Sequence, residues 1–143
     1  MSVQVVRAQP RHVVELRALL TEFSESARRL EISTLAERLL DERTQVLVAE
    51  NDDVAVGTAT ICFVTTLTQG VVAHVEDVVV AAASRRQGVG RLLMAAVREE
   101  AERRGAAYID LTSRPARTAA NQLYASIGYR LRTTNAYRLD LRS

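Results

Sequence analysis

Apolar residues recur along the first half of the chain with two spacings, which predict strands and helices in turn. Four segments rich in β-branched side chains are typical of strands. They are residues 3–8, 44–50, 54–66 and the stretch that ends at Val80. Residues 10–23 carry an apolar stripe of helical period, and the Thr34 and Glu37 spacing fits a capping box for a second helix through Leu40.

The second half of the chain continues this alternation. Its clearest helix follows residue 88, because apolar residues return there at every third or fourth position. The predicted buried face of this helix consists of Val89, Leu92, Leu93, Ala96, Val97 and Ala101. A strand over residues 108–113 and a helix over 117–126 are predicted next, followed by a hairpin of 129–132 and 136–141.

The resulting order, β-α-α-β-β-β-α-β-α-β-β, predicts an α/β fold. We expect a mixed central sheet of about seven strands, flanked on both faces by four helices. The strand–helix–strand unit over residues 74–113 should be a right-handed parallel crossover. With 143 residues and no linker or repeat, the chain is expected to be a single domain over residues 1–143.

Composition and charge narrow the possible functions. The formal net charge is only +2, from 19 basic and 17 acidic residues, which argues against nucleic acid as a partner. No apolar run is long enough for a membrane span, and the N-terminus lacks a signal-peptide pattern. Cys62 is the only cysteine, so we expect a small buried side chain in a cytoplasmic protein. No spacing of His, Cys or Asp predicts a metal site, and His12 is expected at the surface.

The loop before the clearest helix has the composition of an anion site. Arg85 and Arg86 precede Gly88 and Gly90, and Arg91 follows them. Glycines allow a ligand to approach the backbone closely, and the amides of a helix N-terminus attract phosphate. The loop is therefore a candidate pyrophosphate cradle. Taken alone, it could equally be a solvated loop in which the glycines serve only the turn.

A second motif makes the first more specific. Residues 85–90 match the Q/R-x-x-G-x-G/A signature, and residues 123–129 read Leu-Tyr-Ala-Ser-Ile-Gly-Tyr. Together, over roughly residues 45–141, they resemble the GNAT superfamily of N-acetyltransferases. The resemblance implies the GNAT fold, in which two parallel strands splay apart, and acetyl-CoA as the cofactor. It implies that the backbone of Val78 and Val80 grips the pantetheine arm.

The resemblance also implies roles for individual residues. The residues expected to bind acetyl-CoA are Val78, Val79, Val80, Arg85, Arg86, Gln87, Gly88, Val89, Gly90, Arg91, Asn121 and Tyr124. Tyr124 would protonate the departing thiolate, which suits a phenol, although a core tyrosine is the alternative. Arg117 stands where many family members carry an asparagine that contacts the cofactor, so Asn121 is only a possible replacement.

Two residues of the strand ending at Val80 are candidates for the base. Alternation places His74, Glu76, Val78 and Val80 on one face and the intervening residues, Asp77 included, on the other. In the family, an acidic or histidine side chain on this strand often deprotonates the amine. By this resemblance Glu76 is the first choice and His74 the second; the alternative is a partly exposed acidic pair, Glu76 with Asp77, that binds loop amides.

These residues predict an acetyl-CoA-dependent N-acetyltransferase that acts by direct transfer, without a covalent acyl-enzyme. The expected acceptor is a primary amine on a small molecule, and a homodimer is possible. One alternative is a protein or peptide acetyltransferase of the same fold. Another is a non-catalytic acyl-CoA-binding module, against which the presence of both Glu76 and Tyr124 argues, because binding alone needs neither.

Overall fold

A computed structural model describes residues 2–142, which form two compact units that divide after Thr112. The first unit contains β1 (Val3–Arg7), α1 (Val13–Phe23), α2 (Ile32–Arg38), β2 (Thr44–Asn51), β3 (Val54–Thr66), β4 (Gly70–Val80), α3 (Val89–Arg103) and β5 (Ile109–Leu111). The second unit contains α4 (Thr118–Ser126). Short 3-10 turns cover Pro10–His12, Glu25–Arg29 and Ala82–Ser84.

The five strands form one sheet in the order of the chain, β1-β2-β3-β4-β5. The first four strands are antiparallel neighbours, and a turn at residues 52–53 joins β2 to β3. β5 is parallel to β4, as a strand–helix–strand unit requires. The predicted mixed sheet, its four helices and the parallel pair are therefore confirmed.

Helices pack against both faces of this sheet. Val48, in β2, belongs to a core cluster with Val13 and Leu16 of α1. Its partner in β3 is Thr58, and the neighbouring Gly57 points to the opposite face, where Leu93 of α3 lies against it. The sheet thus has an α1 face and an α3 face, and the difference between them decides where polar side chains can lie.

The number of strands was predicted incorrectly. Five strands are present among residues 2–142, and the two expected in the C-terminal segments 129–132 and 136–141 are not among them. Leu131, Leu139 and Leu141 are almost fully exposed. A strand pattern fixes a pairing register only where one of its faces is buried, and no such face exists here.

The start of α2 also differs from the prediction. The helix begins at Ile32, two residues before Thr34, and its N-cap is Glu31, which makes no side-chain capping bond. The amide of Leu35 already donates to the carbonyl of Glu31 at 3.1 Å. Thr34 therefore lies inside the helix and does not cap it, and the helix is held by tertiary packing of the buried Leu35.

The buried face of α3 is shifted from the predicted one. Val89, Leu93, Val97 and Ala101 are buried at a strict spacing of four, whereas Leu92 is 44% exposed. Met94 is buried in its place. A spacing of four drifts around the helix axis by about 40° per step, which turns the stripe away from Leu92.

His12 is fully buried, contrary to the prediction of a surface residue. Its Nδ1 atom accepts a hydrogen bond from the Gln9 amide at 3.0 Å, and its Nε2 atom lies 3.0 Å from the Glu50 carboxylate. Arg11 binds the same carboxylate with two bonds, at 2.9 and 3.2 Å. Hydrogen bonds from Arg11 and His12 lower the pKa of Glu50. These bonds attach the start of α1 to β2.

Candidate active site

A β-bulge interrupts β4 at the centre of the candidate site. Thr60 of β3 pairs with Glu76 and Thr58 pairs with Val79, so Ala59 alone stands opposite both Asp77 and Val78. Asp77 has a φ of 54°, in the left-handed region that side chains other than glycine seldom adopt. Such strain persists only where the surroundings enforce it, and it occurs often at functional sites.

The bulge changes which residues share a face. His74 and Glu76 remain together, but the extra residue brings Val79 to their face and moves Val80 to the face of Val75. The predicted grouping of Val78 and Val80 with Glu76 was therefore wrong. Simple alternation cannot foresee a residue that is inserted between two halves of one strand.

A row of polar side chains crosses the α1 face of the sheet beyond its apolar core. Glu76 lies beside Thr60, and His74 lies between Cys62 of β3 and Asp110 of β5. These five residues are the polar strip. Asp110 was missed in the sequence, because the short strand β5 gives no sign of which neighbour it meets until the parallel pairing is known.

Two of the predicted catalytic residues are in contact within the strip. The Nε2 atom of His74 lies 2.8 Å from Oε1 of Glu76. The side chain of His74 is 35% exposed and that of Glu76 is 51% exposed. Both groups can therefore meet a ligand from solvent, and the half-exposed Glu76 carboxylate avoids most of the cost of burying a charge in the strand.

The electrostatics of the strip are acidic. Partial burial and the nearby Glu76 carboxylate raise the pKa of Asp77, and the charge of Arg38 in α2 opposes this rise. Burial raises the pKa of the Cys62 thiol, and the charges of Glu76 and Asp77 raise it further. Cys62 is only partly buried and belongs to the strip, so it is less isolated than predicted.

The predicted cradle for phosphate lies between β4 and α3. Arg85, Arg86, Gln87 and Gly88 are all exposed. Gly88 is the N-cap of α3 with a φ of 81°, and Arg86 also has a positive φ of 65°. The first intrahelical bond runs from the Leu92 amide to the Gly88 carbonyl at 3.1 Å, so the amides of the preceding turn lie at the open end of the helix.

One hydrogen bond attaches this loop to the sheet, and the helix that follows it packs closely against β3. The Nε atom of Arg85 donates to the Val80 carbonyl at 3.2 Å, which joins the loop to the end of β4. A methyl group at Gly57 would lie 3.0 Å from Leu93 Cδ1 and 3.1 Å from Val89 Cγ1. Only glycine therefore lets the first turns of α3 approach β3 so closely.

Beyond the strip, one edge of β4 has no strand beside it in the first unit. β5 pairs with β4 only from Ala73 to Val75, and β5 itself ends at Leu111. Within residues 2–112 the backbone from Glu76 to Val80 therefore has β3 on one side and no strand on the other. An extended ligand arm could add to this edge as a strand does.

The remaining predicted residues belong to the second unit. Tyr124, in α4, is buried, and burial raises the pKa of its phenol while the charge of Arg117 lowers it. Its ring lies 6.0 Å from that of Tyr129, at an interplanar angle of 54°. The amide of Asn121 donates to the carbonyls of Arg114 and Pro115, at 3.0 and 3.4 Å, and so supports the turn before α4.

Residues 2–142 contain no group of three His, Cys, Asp or Glu side chains that could hold a metal ion. Within the same range, no helix is both long and apolar enough to cross a membrane.

Comparison with known proteins identifies relatives. The model of the acetyltransferase (GNAT) family matches residues 13–129. A sequence search of curated proteins gives no match. Among solved structures, a transcriptional regulator from Bacillus halodurans C-125 is 25% identical and superposes with a TM-score of 0.85. That alignment covers 98% of this chain and all of the other.

Two further structures share the fold at lower identity. A ribosomal-protein-alanine N-acetyltransferase from Brucella melitensis biovar Abortus 2308 is 19% identical, with a TM-score of 0.83 over 99% of this chain and 100% of the other. An aminoglycoside N-acetyltransferase, solved in complex with CoA, is 17% identical, with a TM-score of 0.82 over 99% and 96% of the two chains.

Proposed function

Because this chain belongs to the acetyltransferase (GNAT) family, we propose that it transfers the acetyl group of acetyl-CoA directly to a primary amine of a small molecule. The observation that carries this proposal is the Glu76 carboxylate, half exposed in the polar strip and next to the bulged edge of β4. It supplies an acceptor for the amine's proton beside a backbone edge suited to the cofactor arm.

Acetyl-CoA is the cofactor used by this family, and the residues of the first unit fit it. The exposed loop over residues 85–88 and the start of α3 would hold its pyrophosphate through backbone amides and arginine charge. The edge of β4 from Glu76 to Val80 would hold the pantetheine arm. The cofactor supplies the activated thioester, and the chain supplies binding and proton transfer.

An alkyl amine is mostly protonated at neutral pH and cannot attack until it loses a proton. We assign the removal of this proton to Glu76. Tyr124 is assigned to the opposite task, the return of a proton to the sulfur of the leaving thiolate. Burial supports this assignment, because a phenol whose pKa is raised stays protonated throughout the neutral range.

The fold alone does not separate catalysis from binding. One structural neighbour is described as a transcriptional regulator, whereas others are described as N-acetyltransferases. The proposal of an enzyme therefore depends on Glu76 and Tyr124. A cytoplasmic protein with one functional domain over its full length is part of the same proposal.

The test is thiol release from acetyl-CoA across a panel of amino sugars, polyamines, amino acids and lysine peptides. We expect release with at least one small amine. Glu76→Gln should lower turnover by about 100-fold or more at neutral pH, and partly recover at high pH, where free amine is plentiful. Tyr124→Phe should lower turnover by about 10- to 1000-fold, with little change in cofactor affinity.

Each other outcome has a distinct meaning. Release with lysine peptides alone would point to a protein acetyltransferase. Binding of acetyl-CoA without release from any amine would point to a non-catalytic acyl-CoA-binding module. Full activity of both variants would show that neither Glu76 nor Tyr124 performs the proton transfer assigned to it.

A further inference from the structure

Glu76 and His74, the two candidates for the base that deprotonates the amine, are in direct contact. From this contact we infer that His74 is a positioning residue, which holds the Glu76 carboxylate in place for the acceptor amine and does not itself take the amine's proton. This inference rests on the proposed acetyl transfer and adds to it a separate role for each residue. The carrying observation is the 2.8 Å separation between His74 Nε2 and Glu76 Oε1.

The strand geometry makes this contact possible. Residues two apart on a strand share a face and lie about 6.5 Å from each other along the chain. The residues directly across β3 are Cys62 and Thr60, whose side chains are small. The imidazole ring and the carboxylate are long enough to span this separation and meet, and the small side chains opposite leave room for both.

The hydrogen bond leaves one carboxylate oxygen available. With its proton on Nε2, His74 donates to Oε1 of Glu76. Within residues 2–112, Oε2 makes no hydrogen bond. A half-exposed glutamate otherwise samples several rotamers, so the fixed bond removes disorder that binding of the amine would have to overcome.

The proton balance follows from this arrangement. One proton passes from the ammonium nitrogen to Glu76 Oε2, which frees the nitrogen lone pair. The nitrogen then forms a bond to the thioester carbon, the C–S bond breaks, and sulfur leaves with the bonding electrons and takes the proton that Tyr124 is assigned to return, which solvent then replaces. The nitrogen releases its surplus proton to solvent, and Glu76 later does the same. His74 keeps its proton on Nε2 throughout.

Other ionisable groups face the same pair and provide controls. Asp110 stands beside His74 in the parallel register, and Asp77 follows Glu76 in the bulge. Cys62 stands across from His74. If His74 served one of these carboxylates in place of Glu76, Asp110→Asn or Asp77→Asn would reproduce the effect of losing His74.

The kinetic test compares four variants with the parent enzyme on the best amine of the panel. His74→Ala should lower kcat by about 10- to 100-fold, with the KM for acetyl-CoA unchanged. His74→Gln should recover most of this loss, because its amide can donate to the same oxygen. In a Glu76→Gln background, adding His74→Ala should cause no further loss, since the residue to be positioned is already gone.

The pH profile separates positioning from base catalysis. If Glu76 is the base, the profile of His74→Ala keeps an ascending limb and has a lower plateau. Loss of that limb in His74→Ala and His74→Gln alike would make His74 the base and overturn the inference. Multiplicative losses in the double variant, or parent-like activity of His74→Ala, would also overturn it.

A spectroscopic test does not depend on activity. The chain contains only two histidines, so nitrogen NMR of labelled protein reports His12 and His74 alone, and His74→Ala assigns them. We expect His74 in the Nε2-protonated form, with a signal that moves in Glu76→Gln. An unchanged signal would overturn the inference, whereas absence of thiol release by the parent protein would overturn the proposed function.

Discussion

Gly57→Ala tests the close approach of α3 to the sheet. The added methyl group would lie 3.0 Å from Leu93 Cδ1 and 3.1 Å from both the Val79 carbonyl oxygen and Val89 Cγ1. Carbon atoms pack best at about 3.5–4.0 Å, so each neighbour would have to move by several tenths of an ångström. The φ of Gly57 lies outside the left-handed region, so alanine adds no backbone strain.

The expected cost follows from two opposing effects. Overpacking by one methyl group costs about 1–3 kcal/mol of folding stability. Replacing glycine by alanine adds about 0.4–1 kcal/mol of stability, because it lowers the conformational entropy of the unfolded chain. The net loss is about 1–2 kcal/mol, which lowers the Tm of a chain of this size by roughly 3–10 °C. Thermal and urea unfolding, followed by circular dichroism, measure it.

Leu93→Val provides the matched background, because valine has no δ carbon to meet the new methyl group. Gly57→Ala should cost at least about 0.5 kcal/mol less in this background than in the parent protein. It should also weaken acetyl-CoA binding, since Val89 begins the helix whose first turn would hold the pyrophosphate. A Tm that is unchanged or raised by Gly57→Ala would refute the reasoning.

Three further predictions concern single sites. Gly88→Val should abolish the rise in Tm that acetyl-CoA produces. The control, Gly105→Val, lies at the other end of α3 with a similar positive φ and equally open surroundings, and it should keep the rise. Loss of the rise in both variants would mean that strain in the helix, and not a blocked phosphate site, causes it. Asp77→Asn should raise the Tm at pH 7, because the pKa of Asp77 is raised in the folded protein and its ionised carboxylate therefore opposes folding above that pKa. The gain in Tm should vanish near pH 4, where the carboxyl group is protonated in the folded protein. A gain that persists at pH 4 would show that the charge of Asp77 is not its cause. Alkylation of Cys62 should be slow at pH 7 and accelerate beyond about pH 8.5, because the pKa of the thiol is raised. The modified enzyme should lose turnover, whereas Cys62→Ser should resist the reagent. An alkylated enzyme that stays active would show that the polar strip lies outside the active site.

Patterns confined to one segment of sequence predicted the helices and most strands. The strand over residues 54–66 and the helix over 89–103 have apolar periods long enough to exclude the alternative, and both are present. The hairpin expected after residue 128 failed, because its apolar residues are exposed and nothing fixes their pairing. His12 was misjudged because its burial depends on Glu50, a partner 38 residues away.

The candidate site shows the same limit. Glu76 and His74 could be proposed as bases from the family resemblance of one strand, and alternation placed them on one face. The bulge at Asp77, the neighbour Asp110 and the packing at Gly57 all depend on strands that are distant in sequence. Sequence alone can therefore suggest which side chains take part in a reaction, but it cannot show the strand pairing and the bulge that position them.

The bulge in β4 makes the spacing between two residues as important as their identity. Deleting Asp77 would restore an uninterrupted ladder and reverse the parity of one half of the strand relative to the other. Either His74 and Glu76 would turn under α3, into an apolar layer, or Val79 and Val80 would exchange faces. A one-residue deletion should thus be far more harmful here than any substitution at Asp77, and related chains that keep this chemistry should vary in residue type at this position before they vary in length.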